Sequence, residues 1–172
     1  VGYDFHQNQT VDDSDFLKSL AIYIQTEYNL SPEYTFATGM SNGGDMCYML
    51  ACEQAETFKA VAPVAGSMMQ WIYNDCPENS VHVFEIHGDN DNITLWEGDL
   101  DNSDGYGAYL PVLDTFNFWA QQNECSTNSI LELPNTVSSD NSTVTSIKFT
   151  DGTNNNEVWL YRVNNGGHDW HG

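Results

Sequence analysis

Positive charge is what this chain most clearly lacks. Only 4 of its 172 residues are Lys or Arg, against 25 Asp and Glu, which gives a formal net charge of −21. A field of that sign repels phosphate backbones and anionic lipid headgroups. The composition therefore excludes nucleic acid and membrane surfaces as expected partners.

Long hydrophobic runs are absent as well. The longest, such as residues 60–65, fall far short of the ~20 apolar residues that span a bilayer. Disorder is also excluded, because 40% of the residues are hydrophobic and 13% are aromatic. The length fits a single globular domain over residues 1–172. An excess of acid with so few lysines suits a saline, extracellular or periplasmic setting, so we expect a secreted protein.

Cysteine is scarce, and its spacing excludes common metal sites. The four residues Cys47, Cys52, Cys76 and Cys125 form no C-x-x-C pair, so no structural zinc is expected. Cys47 and Cys52 lie five apart on a predicted helix and point about 140° apart, so they should not pair with each other. Two long-range disulfides, one or none remain open, and an extracellular location favours at least one.

Helical and strand patterns alternate along the chain, which predicts an α/β fold with a mostly parallel sheet. The nearly continuous apolar run 59–65 is typical of a strand buried on both faces. The predicted helices are one that opens at Val11, Asp12 and Asp13 and ends before Asn29, and two more over 45–57 and 110–122; the predicted strands cover 34–38, 59–65, 81–87, 144–149 and 157–163.

The motif with the clearest chemistry is Gly39-Met40-Ser41-Asn42-Gly43, a G-x-S-x-G between a predicted strand and a predicted helix. That context is typical of a nucleophile elbow, in which a strained turn exposes the serine and the flanking glycines allow close backbone approach. Ser41 is therefore the predicted nucleophile. The backbone N–H of Asn42, the next residue, is the predicted oxyanion donor.

A serine nucleophile needs a base and an acid that orients it, in the chain order Ser, Asp or Glu, His. Asp91 follows the predicted strand 81–87, at the strand end where α/β sites assemble, and Asp89 is the competing acid. His168 follows the last predicted strand and Gly166-Gly167, which could swing it over Ser41. It fits order and loop position better than the other four histidines: His6, His82, His87 and His171.

Several blocks of this sequence resemble the secreted polyhydroxybutyrate depolymerase and feruloyl esterase family, in family order and over nearly the whole chain. They are Val11-Asp-Asp with Phe16, Ala37-Thr-Gly-Met-Ser-Asn-Gly-Gly44, Ala51-Cys-Glu53, Ala62-Pro-Val-Ala-Gly66, Ile86-His-Gly-Asp-Asn-Asp91 and Gly166-Gly-His-Asp-Trp-His-Gly172. The resemblance implies an α/β-hydrolase with helices on both sheet faces and a triad of Ser41, Asp91 and His168. It also implies hydrolysis of carboxylic esters: hydroxyalkanoate polyesters or oligomers, feruloyl or acetyl esters of plant polysaccharide, or small synthetic esters.

The same resemblance implies missing parts. The front strands and a second oxyanion donor should precede Val1, and a last helix should follow Gly172, so a truncated catalytic domain is expected. His171 stands where the family usually has Pro. The region Phe149-Thr-Asp-Gly152 lacks the cysteine expected to pair with Cys125, which favours a Cys52–Cys76 disulfide.

Substrate contacts and ions are the least specific expectations. Met40, Trp96 and Trp170 are candidates for an apolar wall around the acyl or aromatic group. The acidic loop 97–105 lacks the Gly and Glu of a Ca²⁺-binding loop, so no metal and no cofactor is expected.

Two alternative functions stay open from sequence. One is a prolyl-oligopeptidase-type serine peptidase, which shares Ser-Asn-Gly-Gly and a similar acid loop. The other is a non-catalytic module that binds carbohydrate or Ca²⁺ on a hydrolase fold. The blocks around residues 11–13 and 166–170 favour an esterase, with an ester substrate as the partner.

Overall fold

A computed structural model describes residues 12–171 of the chain. Strands and helices alternate over the first two thirds of this range, and three strands end it. The elements are α1 Asp13–Glu27, β1 Phe36–Met40, α2 Asn42–Glu53, β2 Ala60–Val64, α3 Gln70–Asp75, β3 His82–Gly88, α4 Val112–Gln122, β4 Thr127–Glu132, β5 Thr143–Thr150 and β6 Val158–Asn164.

The six strands form one sheet in the order β1-β2-β3-β6-β5-β4. The pairs β1–β2, β2–β3 and β3–β6 are parallel, while β6–β5 and β5–β4 are antiparallel. Parallel neighbours need a long crossover, supplied by α2, by α3 and by the segment with α4, whereas short connections join the last three strands as hairpins. The predicted α/β fold class is confirmed, with three parallel and two antiparallel strand pairs in one sheet.

One face of the sheet carries the core. Val61, Val83 and Leu160 point toward Tyr48 of α2 and Trp119 of α4, and all five belong to one buried cluster. Within residues 12–171, α2 and α4 therefore cover the same face of the sheet. Both helices belong to crossovers that advance across the sheet in the same direction, and right-handed crossovers of that kind place their helices on one side.

Three elements differ from the sequence predictions, and one of them is the short helix α3, which no predicted helix covers. The helix predicted from residues 11–13 is present from Asp13 with Asp12 as its N-cap, while Val11 lies outside the described residues. Several of its apolar residues, such as Phe16 and Tyr23, are nonetheless exposed, and Ser14 is the one buried residue among Asp13–Glu27. Strand β4 escaped prediction because all six of its residues are exposed, so no buried alternation marks it.

A disulfide joins Cys52 at the end of α2 to Cys76 after α3, which confirms the favoured pairing. Cys47 and Cys125 are free thiols. Burial raises the pKa of Cys47 to about 12, with a smaller contribution from the charge of Asp45.

No helix within residues 12–171 combines the length and the apolar character needed to cross a bilayer.

Candidate active site

The turn from β1 into α2 holds Ser41 in a strained conformation. Its φ is 58° and its ψ is −125°, a region that non-glycine residues rarely adopt. The turn closes because Gly39 lies against Gly43: a Cβ on Gly39 would come within 2.6 Å of the Gly43 backbone. Glycine at position 39 is thus a steric requirement of the turn, whereas a Cβ on Gly43 would meet no atom within 4 Å.

Backbone hydrogen bonds fix the Ser41 peptide groups. Its N–H donates to the Val64 carbonyl (2.9 Å), and its carbonyl accepts from the N–H groups of Gly44 (2.8 Å) and Asp45 (3.0 Å). Asn42 is the first residue of α2, where backbone N–H groups have no partner within the helix. An N–H at this end of a helix suits a developing negative charge. Among the described residues, the Ser41 hydroxyl makes no hydrogen bond.

Asp91 and His168, 77 residues apart in sequence, meet after the ends of β3 and β6. Ser41 follows the parallel strand β1 at the same edge of the sheet, but within residues 12–171 no hydrogen bond joins it to His168. Asp91 Oδ2 lies 2.8 Å from His168 Nδ1. The other oxygen, Oδ1, accepts the backbone N–H groups of Ile93 (2.8 Å) and Thr94 (2.9 Å). The Asp91 carboxylate is fully buried, and each of its oxygens has its own hydrogen-bonding partners. An ionised carboxylate only accepts hydrogen bonds, so His168 presents Nδ1–H to it and leaves Nε2 available as a base.

Asp89, the competing acid, lies in a different set of contacts. Its Oδ2 accepts from Nε (2.9 Å) and Nη2 (2.6 Å) of Arg162, and its Oδ1 accepts the Asn165 N–H (2.7 Å). Asp89 therefore ties the end of β6 to the loop after β3. It faces Arg162 rather than His168.

The loop that carries His168 is held close to the end of β3. The N–H of Asn90 donates to the Gly166 carbonyl at 2.9 Å, and Gly88 lies so near Gly166 that a Cβ on Gly88 would overlap the Gly166 carbonyl. Gly166 thus serves close packing, rather than the swinging motion that its pairing with Gly167 suggests from sequence.

A cavity of about 350 Å³ opens beside Ser41 and Asn42. Its other lining residues are Asp45, Ser67, Met69, Ile93, Thr94, Tyr106 and Tyr109. Asp45 Oδ1 accepts from both the N–H (2.7 Å) and the hydroxyl (3.1 Å) of Ser67, which gives the cavity a buried polar end. The Tyr109 hydroxyl accepts the Leu95 N–H at 3.1 Å.

The residues predicted to form an apolar wall, Met40, Trp96 and Trp170, do not line this cavity. Trp96 instead packs between the His87 ring and the Arg162 guanidinium. Trp170 is half exposed and borders a separate groove that also includes His168. Sequence reasoning missed Ser67, Tyr106 and Tyr109. Ser67 directly follows the block that ends at Gly66, but the two tyrosines sit in an irregular loop without a periodic signal.

Hydrogen bonds within the acidic loop 97–105 hold its backbone in place. Asp99 accepts the N–H groups of Ser103 (2.9 Å) and Asp104 (3.1 Å), and these bonds lower the pKa of Asp99. No group of three or more His, Cys, Asp or Glu side chains in residues 12–171 is arranged to hold a metal ion.

The strand–serine turn–helix, the sheet order and the acid after β3 define an α/β-hydrolase. Residues 2–123 match the model of the prolyl oligopeptidase family, and the chain belongs to that family. The matched range includes Ser41 and Asp91.

Several curated relatives carry esterase names. The chain is 29% identical over 94 residues to "Probable feruloyl esterase C" of Aspergillus niger, which is 55% of this chain and 34% of that protein. It is 31% identical over 91 residues to the protein of that name from Aspergillus clavatus (53% and 33%), and 30% identical over 91 residues to "Feruloyl esterase C" of Emericella nidulans (53% and 33%). The matched part of the chain spans about a third of the length of these relatives. The predicted resemblance is thus confirmed for the α/β-hydrolase fold and for similarity to feruloyl esterases, while the resemblance to polyhydroxybutyrate depolymerases stays a prediction.

Proposed function

We propose that this chain is the catalytic core of a secreted serine esterase that cleaves carboxylic esters through Ser41, His168 and Asp91. The observation that carries the proposal is the 2.8 Å contact between His168 Nδ1 and the buried Asp91 carboxylate, at the same edge of the sheet as a serine held at positive φ. Strain of that kind persists where the surrounding structure imposes it, and it clusters at functional sites.

In the proposed reaction, Ser41 Oγ attacks the ester carbonyl carbon while His168 Nε2 takes the hydroxyl proton. Asp91 keeps the imidazole in the Nδ1–H tautomer and stabilises the imidazolium that forms. The Asn42 N–H donates to the oxyanion. His168 then gives its proton to the leaving alcohol, and water releases the acid from the acyl-enzyme by the same steps.

Feruloyl esters are the first substrates to test, because the curated relatives named above are feruloyl esterases. The cavity beside Ser41 supports an aromatic acyl group. Met69, Ile93 and Tyr106 offer apolar surface, and the Asp45–Ser67 end offers hydrogen-bonding partners. Acetyl esters of polysaccharide and hydroxyalkanoate oligomers are the further candidates.

Secretion is part of the proposal. A disulfide between Cys52 and Cys76 is typical of an oxidising compartment, and a net charge of −21 is best tolerated where salt screens it.

The first experiment is labelling of the full-length protein with a fluorophosphonate probe. Wild type should be labelled at Ser41, and Ser41→Ala should remain folded but unlabelled. Absence of labelling in folded wild type, with glycan or Ca²⁺ binding, would support a non-catalytic module instead.

The second experiment is a substrate panel with methyl ferulate, p-nitrophenyl acetate and butyrate, acetylated xylan, hydroxybutyrate oligomers and a peptide p-nitroanilide. We expect turnover of methyl ferulate and the p-nitrophenyl esters. Turnover of the anilide alone would favour the alternative function, that of a prolyl-oligopeptidase-type serine peptidase. The variant Tyr106→Ala should raise KM for methyl ferulate more than KM for p-nitrophenyl acetate.

A further inference from the structure

A buried acid–histidine pair lies directly behind Asp91. Glu85 and His87 both project from β3 into the core, and neither the His87 ring nor the Glu85 carboxylate is appreciably exposed. His87 Nδ1 lies 2.8 Å from Glu85 Oε1. The second carboxylate oxygen of Glu85 is hydrogen-bonded to the hydroxyl of Tyr48 on α2.

The partners of this pair determine where its protons lie. His87 Nε2 is 2.9 Å from the Thr94 carbonyl, which only accepts, so Nε2 must carry a proton. Burial and the charge of Glu85 raise the pKa of Tyr48 far above its usual range, so Tyr48 keeps its proton and donates it to Glu85. Burial alone lowers the pKa of His87, but the hydrogen bond and charge of Glu85, the Thr94 carbonyl and the charge of Asp91 raise it. The contacts thus fix two protons, on His87 Nε2 and on the Tyr48 hydroxyl, and a third is shared between His87 Nδ1 and Glu85 Oε1.

His87 reaches the triad acid through Thr94. The carbonyl of Thr94 accepts from His87, while its N–H donates to Asp91 Oδ1 at 2.9 Å. His87 Nε2 also lies 3.7 Å from Asp91 Oδ2, the oxygen that faces His168. The groups around His87 are therefore Glu85 on its own strand, Asp91 and Thr94 on the following loop, Tyr48 of α2 through Glu85, and the Trp96 ring 6.0 Å away.

We propose that His87, charged and held by Glu85, is a positioning residue that fixes the Asp91 carboxylate and supplies it with a nearby positive charge. This inference rests on the proposed function. His87 does not touch the substrate; it acts through the Thr94 peptide and the Asp91 carboxylate. The sequence disfavours His87 as the catalytic base because it precedes the acid on the same strand. That same position places His87 within hydrogen-bonding distance of Thr94, whose N–H binds Asp91.

Stability alone accounts poorly for this arrangement. Taking a carboxylate and an imidazolium out of water is costly, and well-packed apolar residues of similar volume often serve a core equally well. The buried side chains beside this pair on the same sheet face, such as Val83 and Leu160, form a hydrophobic cluster, so an acid–histidine pair placed at the triad acid fits a role in orienting that acid.

The test compares three variants in the full-length protein. His87→Leu removes both the hydrogen bond to Thr94 and the charge, and should lower kcat by about 10–100-fold with little change in KM, because a misplacement of about 1 Å can cost about 10²-fold. His87→Gln keeps a donor within reach of the Thr94 carbonyl and should recover most of that loss. Glu85→Gln should lower kcat only slightly.

The pH profile separates positioning from simple packing. Loss of the positive charge near Asp91 lets that carboxylate act more strongly on the catalytic imidazolium. The acidic limb of kcat/KM should therefore move to higher pH by about 0.5–1 unit in both His87→Gln and Glu85→Gln. His82→Leu is the matched control, since His82 lies on the same strand but is exposed at its start, and its profile should match wild type.

Two outcomes would overturn the inference. One is a His87→Leu variant with wild-type kcat. The other, which decides the matter even if His87→Leu fails to fold, is an unmoved acidic limb in His87→Gln and Glu85→Gln.

A readout independent of turnover keeps this test apart from that of the proposed function. The low-field proton resonance of the His168–Asp91 hydrogen bond should be present in wild type, weaken in His87→Leu and return in His87→Gln. If wild type neither hydrolyses esters nor reacts with the probe, the proposed function fails, while this resonance still tests the positioning role.

Discussion

Replacing Asp91 with Asn tests the proposed chemistry most directly, because the structure dictates how the amide must sit. The Oδ1 position accepts two backbone N–H groups, from Ile93 and Thr94, so the amide oxygen must occupy it. The amide nitrogen then takes the Oδ2 position and faces His168 Nδ1. A donor at that place forces the imidazole to accept at Nδ1 and to carry its proton on Nε2. In that tautomer His168 cannot accept the proton of Ser41.

The expected loss in kcat is about 10⁴-fold, as for the corresponding change in other triads, which corresponds to about 5.4 kcal/mol of transition-state stabilisation. Asp89→Asn is the matched control two residues away. It keeps an oxygen for the Asn165 N–H but loses the ion pair and the two hydrogen bonds with Arg162, whose side chain is 42% exposed. An ion pair with that much exposure contributes about 0.5–1 kcal/mol, so the loss of activity should stay below about tenfold.

The assay is kcat/KM for p-nitrophenyl butyrate near neutral pH, with the concentration of active sites set by titration with the fluorophosphonate probe. Thermal unfolding of both variants checks that each is folded. Equal losses at the two positions, or a loss below about tenfold for Asp91→Asn, would refute the reasoning that separates the two acids.

Four further outcomes can be measured without substrate. Removing the disulfide with Cys52→Ser and Cys76→Ser opens a loop with a sequence separation of 24 and should cost about 3 kcal/mol of stability and roughly 6–12 °C in Tm; a change within the error of the melting curve would contradict it. Cys47, whose pKa is about 12, should resist iodoacetamide in the native protein while the partly exposed Cys125 reacts slowly, and mass spectrometry after unfolding checks the difference. Tm should rise with added NaCl because salt screens the −21 charge; a flat or falling response would refute this. Because the pKa of His87 is raised in the folded state, its charge-linked stability is fully present below pH ~6.5 and is lost as pH rises through the folded-state pKa; denaturant unfolding of wild type and His87→Gln across this range should show the difference shrinking, and a constant difference would contradict it.

The strands and helices that build the site were predictable because their patterns are local. The nearly continuous apolar run 59–65 predicts β2, and the segment 81–87, with its Val, Phe and Ile residues, predicts β3. The helical spacing of apolar residues over 110–122 predicts α4. Strand β4 was not predictable in this way, because hydrogen bonding with β5 places it in the sheet while its side chains stay in solvent. The apolar spacing in α1 predicted the helix correctly but said nothing of its exposure.

The Cys52–Cys76 pairing could be favoured from sequence, but only through family resemblance. Spacing excluded a Cys47–Cys52 bond and left several others open. The structure selects one by bringing the end of α2 beside the residue after α3.

By itself, the sequence determined the class of fold, the strained serine turn, and the order in which nucleophile, acid and histidine occur. Glycine spacing and the alternation of strands and helices depend on neighbours in the chain, so they can be read from it. Only the tertiary structure decided which of Asp89 and Asp91 faces His168, which residues line the cavity beside Ser41, and that His87 supports the acid from behind. Those features depend on segments up to 77 residues apart, and a sequence does not state which side chains two distant loops will bring within hydrogen-bonding distance.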